Sequence, residues 1–126
     1  MPYSQILHMK QDEIYFISYQ GQLVRFQIFK GTHTVVSPDK TIEYLASDEN
    51  ALVAVTKTRE LILIQPDDKV ITKAISVRHQ GVVVKVAICR RYVALVLWEE
   101  EMRRGKYVLF DRELKFLDEF AVIMSR

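Results

Sequence analysis

The sequence predicts an all-β fold of about three successive four-stranded antiparallel sheets, and three observations predict it. Its apolar runs are short and rich in valine, isoleucine and aromatic residues, and no apolar stripe recurs at helical spacing. The breaks between runs carry turn chemistry: Gln20-Gly21-Gln22 and Lys57-Thr58-Arg59 read as tight hairpins, Ser47-Asp48-Glu49-Asn50 and Pro66-Asp67-Asp68 as polar turns. The runs also fall into groups of four.

Taken in order, the first unit reads as strands Ser4–Met9, Glu13–Tyr19, Gln22–Ile28 and Thr32–Val36. The second reads as Thr41–Ala46, Ala51–Thr56, Glu60–Ile64 and Lys69–Ile75. The third opens with Arg78-His79-Gln80-Gly81 and continues as Val82–Ile88, Tyr92–Trp98, Lys106–Asp111 and Leu114–Phe120, with a break at Cys89-Arg90-Arg91 and a charged tip from Glu99 to Gly105. Corresponding strands recur at about 36 to 47 residues, near the ~40 to 45 of a four-stranded propeller blade. The reading is therefore a β-propeller segment, one unit over residues 1–126 with approximate blades 4–38, 41–76 and 78–122. The second strands, Ala51–Val55 and Tyr92–Leu97, are apolar at almost every position, which implies burial on both faces. First and fourth strands carry the charges Glu43, Lys85, Lys73 and Lys115, as rim positions would.

A chain of 126 residues that is 49% apolar can form one domain with a real core, and this excludes a disordered polymer. The net charge of +2 is too balanced to demand nucleic acid, an anionic membrane or an acidic substrate. Cys89 is the single cysteine, so no intrachain disulfide forms, and it reads as a packed, inert apolar filler. The amino-terminal residues show no secretory signal, and the longest apolar run, Tyr92–Trp98, is far below the ~20 residues of a membrane-spanning helix. A cytosolic or nuclear protein without a membrane span is expected.

The third unit resembles a degenerate WD-repeat blade. His79 followed by Val82–Ile88 is similar to that family's Gly-His lead-in and first strand, and Phe110-Asp111 stands where its Trp-Asp pair ends the third strand. Arg78 replaces the glycine and Phe110 the tryptophan, Tyr92–Leu97 offers no serine or threonine for the family's buried hydrogen-bond network, and the first two units keep neither dipeptide. The resemblance implies a scaffold of the kind found in multi-subunit assemblies.

Propellers close with typically about 4 to 8 blades, so three leave apolar faces uncovered, and the chain is expected to be a segment of a larger propeller or to complete one with a protein partner or a second copy of itself. The expected function is non-enzymatic protein–protein interaction. Candidate contact residues are Arg78 and His79 in the loop entering the third blade, with Glu99, Glu100, Arg103 and Arg104 at its hairpin tip, where acidic and basic residues are expected to face each other across the strands. The alternative is a single-stranded nucleic-acid site at Arg90, Arg91, Arg103 and Arg104 with Tyr92, Trp98 and Tyr107 nearby, although rings within apolar strands are better explained as core. His8, His33 and His79 have no acid or thiol at catalytic spacing, and no metal or phosphate motif occurs, so no enzyme, metal or cofactor is expected.

Overall fold

The computed structural model describes residues 5–9, 12–48, 51–67 and 69–122, and among these it forms twelve strands and no helix. Ser4, expected to open the first unit, lies outside the described residues, as do Glu49, Asn50 and Asp68 of the two polar turns. The first sheet contains β1 (Gln5–Met9), β2 (Glu13–Ile17), β3 (Leu23–Gln27) and β4 (Thr32–Val35). The second contains β5 (Ile42–Ser47), β6 (Leu52–Thr56), β7 (Glu60–Ile64) and β8 (Val70–Ala74). The third contains β9 (Val82–Ile88), β10 (Tyr92–Glu99), β11 (Arg104–Asp111) and β12 (Phe116–Val122). Within each sheet the strands are antiparallel and follow chain order.

Neighbouring sheets approach through their first strands, β1 beside β5 and β5 beside β9. The fourth strands β4, β8 and β12 are largely exposed, so each sheet runs outward from a shared inner side. This is propeller geometry with three blades.

Period-two alternation decides what each sheet buries. Successive residues of β6 and β7 point to opposite faces: Val53, Val55, Leu61 and Leu63 pack with Val86, Val93, Leu95, Leu97 and Val108 of the third sheet. Leu52, Ala54, Ile62 and Ile64 pack with Tyr15 and Leu23 of the first. All five residues of β6 are buried, as its unbroken apolar run predicts. β10 has an equally apolar sequence but a different outcome. Val93, Leu95 and Leu97 are covered by the second sheet, whereas Tyr92, Ala94 and Trp98 on the other face stay partly exposed because no described sheet lies there.

The turn between second and third strands repeats in all three blades. The amides of Gly21, Arg59 and Arg103 donate to the carbonyls of Ser18, Thr56 and Glu100 at 2.8, 3.1 and 3.2 Å, and all three residues have positive φ, at 85°, 62° and 50°. Only the first is glycine, and a Cβ there would come within 2.7 Å of Thr41 Cγ2 in the loop leading to the next blade. The third loop is one residue longer, since Trp98 pairs with Gly105 where Val55 pairs with Leu61.

Polar ties fasten the second blade to the third. Arg59 donates to the His79 and Gly81 carbonyls at 2.6 and 2.8 Å, Lys73 Nζ to the Leu114 carbonyl at 2.8 Å, and Gln65 Nε2 to the Arg112 carbonyl at 3.0 Å. Charged donors satisfying main-chain carbonyls are among the stronger hydrogen bonds. They fix the angle at which the third blade leaves the second.

Candidate interaction site at the rim of the third sheet

The loop before β9 turns at Ser76, whose carbonyl accepts from the His79 amide at 3.0 Å, and this aims the His79 ring inward. His79 is 3% exposed, with its ring 5.1 Å from that of Phe116 and edge-on to Phe110 at 6.4 Å. Its Nδ1 meets Glu119 Oε1 at 2.5 Å. His79 is thus buried and held by a carboxylate of β12. Asp111 ends β11 and organises the next turn, its Oδ1 accepting the Glu113 and Lys115 amides at 2.8 and 2.9 Å. Those bonds, led by the one from Lys115, hold its carboxyl below the usual range.

From Glu119 the contacts continue across the sheet. Glu119 Oε2 lies 3.4 Å from Lys106 Nζ, Lys106 Nζ 3.6 Å from Glu99 Oε2, and Glu99 Oε1 2.7 Å from Arg104 Nε. Lys106 is buried on β11 at a position that register equates with Val24 in the first blade and Ile62 in the second. Two carboxylates neutralise it there, as a buried ammonium requires. The hydrogen bond from Arg104, foremost, lowers the Glu99 carboxyl against its own desolvation. At Glu119 desolvation is the largest influence and acts upward. Hydrogen bonds and charge from His79 and Lys106 outweigh it, so the net shift is downward.

Of the six candidate residues, His79, Glu99 and Arg104 therefore belong to one chain of polar contacts, completed by Glu119 and Lys106. Arg78 stands apart in the lead-in loop, its guanidinium 5.5 Å from the Phe116 ring centre. Glu100 accepts from Trp98 Nε1 at 2.5 Å. Arg103 is exposed, and its guanidinium has no partner among the described residues. The expected cross-strand pairing of acid with base occurs once, between Glu99 and Arg104, while Glu100 and Arg103 form the turn itself. Glu119 went unnoticed in the sequence because β12 alternates poorly. Lys106 carried a signal, a lysine in step with inward-facing Val108 and Phe110.

Three expectations are corrected. Arg90 and Arg91 sit at the β9–β10 turn and Arg103 and Arg104 at the β10–β11 turn, so β10 holds the two pairs at opposite ends, roughly 23 Å apart at about 3.3 Å per residue. They form no single basic groove. Tyr92, Trp98 and Tyr107 are not core residues: they share the open face of the third sheet, where Tyr107 stacks on Phe120 with ring centres 5.6 Å apart. Cys89 is exposed at a turn, with its carbonyl held by Arg112 Nη1 at 2.7 Å, and it fills no core space. A thiol reagent is expected to modify Cys89 in the native protein to the same extent, one equivalent, as in denaturant, and protection of the native thiol would contradict this placement.

No protein-family model matches the chain, and no curated protein matches it. Solved structures do. The N-terminal domain of Nup159 superposes with a TM-score of 0.63 at 14% identity, covering 97% of this chain and 32% of that one. BamB from Moraxella catarrhalis gives 0.61 at 12%, covering 97% and 34%, and YCF48 from Cyanidioschyzon merolae 0.64 at 8%, covering 94% and 35%. These are β-propeller proteins, and the likeness establishes the class of fold: the chain is an arc of three propeller blades. It spans about a third of the length of each of these three proteins.

Proposed function

We propose that the chain is a non-enzymatic scaffold whose three blades form part of a propeller completed by further sheet from a protein partner or a second copy, within a multi-subunit assembly. One observation carries this reading. The outward face of the third sheet leaves Val82 66%, Tyr92 43% and Phe120 45% exposed, although it alternates like the faces buried between the blades. A contiguous apolar face on a rigid sheet marks an interaction surface. The reading is non-enzymatic because His79, Glu119, Lys106, Glu99 and Arg104 are engaged with one another. It extends the WD-like resemblance of the third blade, and the lone cysteine suits a reducing compartment, the cytosol or nucleus.

Isolation of the tagged protein under native conditions, with the particle mass measured by light scattering, tests it: a particle heavier than one chain, of defined composition, is expected. A monodisperse single chain would remove the reading. Binding of single-stranded RNA or DNA through Arg90, Arg91, Arg103 and Arg104 is the alternative, and their separation weighs against it. Nucleic-acid binding at low salt that weakens steeply with added salt would reinstate that alternative.

A further inference from the structure

The two free faces of the arc are complementary halves of an interface that the chain already uses twice. Register equates Ile17, Val55 and Trp98, since they pair with Leu23, Leu61 and Gly105 next to the corresponding turns. Two residues earlier it equates Tyr15, Val53 and Val96. Tyr15 and Ile17 pack toward the second blade, and Val53 and Val55 toward the third. Val96 and Trp98 occupy the same positions and face no described sheet. At the other end, Phe16 and Val24 of the first blade are the equivalents of Ala54 and Ile62, which pack against that blade from the second. Their face is likewise uncovered by any described sheet. On the open face of the third sheet the charges Lys85 and Asp118 stand on the edge strands and Asp111 at the end of β11, which leaves an apolar centre.

Resting on the scaffold reading, we infer that the partner is a second copy of this chain, its first sheet docked on the third sheet of the other in head-to-tail fashion, with Arg103 as the clasp. Two such interfaces close a symmetric pair, and six blades fall within the range of about 4 to 8 that propellers use. The role of Arg103 follows from Arg59. Both have positive φ at the same turn position, and Arg59 binds two main-chain carbonyls of the loop leading into the next blade. Arg103 has no such loop to bind within the described residues. Beside it a groove of about 600 Å³, lined by Val82, Trp98 and Met102 together with the acidic Glu99, Glu100 and Glu101, leaves room for one. In the pair, the Arg103 guanidinium donates to main-chain carbonyls of the docked copy.

Trp98 is the single tryptophan of the chain and the cross-strand neighbour of Val82, so its emission reports coverage of this face. Sedimentation of the purified full chain is expected to show a monomer–dimer equilibrium, with Trp98 emission moving to shorter wavelength as the dimer forms. Val82→Lys and Phe16→Glu are each expected to raise the dissociation constant at least about tenfold. An equimolar mixture of the two is expected to dimerise again, because each mixed pair keeps one unaltered interface. Arg103→Gly relieves the turn and removes the clasp, so it is expected to weaken the dimer by about tenfold while leaving the monomer folded. A chain that stays monomeric at all concentrations overturns the inference, as does a dimer indifferent to Val82 and Phe16, and an unchanged constant for Arg103→Gly overturns the clasp. If the purified chain is monomeric while the native particle contains other proteins, the second copy is excluded and the scaffold reading survives. A native particle of one chain excludes both.

Discussion

Truncation of Ile62 and truncation of Leu63 to alanine are each expected to destabilise the protein by about 2 to 5 kcal/mol, the range for buried large-to-small changes. In a sheet with one wet face, adjacent residues of a strand cannot both be costly, because one of them points to water. Here Ile62 is 2% exposed within the cluster shared with the first blade, and Leu63 is 0% exposed within the cluster shared with the third. Each truncation therefore opens a cavity at a different blade boundary. Urea unfolding would read both as lower midpoints, with the slope showing whether the transition remains two-state. A loss under about 1 kcal/mol at either position would mean that the central sheet is covered on one face only.

The same alternation explains how much of the molecule was legible in the sequence. Strands announce themselves locally, through β-branched and aromatic runs broken by turn residues, so the quartets were readable, down to the Lys57-Thr58-Arg59 hairpin and the Glu99–Arg104 pair. Burial was readable only where both neighbours of a sheet are present. β6 and β10 have nearly the same apolar pattern, yet β10 ends the described arc and exposes one side, a fact about tertiary neighbours that no local pattern contains. Hence Tyr92, Trp98 and Tyr107 looked like core. The buried cluster was hidden for a related reason. His79 and Glu119 are 40 residues apart, and their meeting depends on the register of β11 with β12 and on the turn at Ser76. The tie from Arg59 to the third blade looked like an ordinary turn residue, because its partners are main-chain carbonyls that leave no trace in side-chain identity.

Within that cluster the two ends of one ion pair are expected to respond differently. Glu119→Gln should cost about 1.5 to 3 kcal/mol at neutral pH, because it removes the charge that faces both buried His79 and buried Lys106. Lys106→Met should change stability by less than about 1 kcal/mol or raise it. It places an apolar chain where the other blades carry Val24 and Ile62, and it leaves Glu119 with His79 and Glu99 with Arg104. The sign of the pH effect follows from the lowered Glu119 carboxyl. A group whose ionisation is favoured by folding contributes its full stabilisation above its ordinary value of 4.5 and loses it as pH falls through the lower folded value. The gap between wild type and Glu119→Gln should therefore shrink as pH falls below about 4.5. Denaturant titrations of both proteins across that range measure the gap directly. A gap that fails to shrink in that range would show that the carboxylate is not what holds His79 and Lys106 in place.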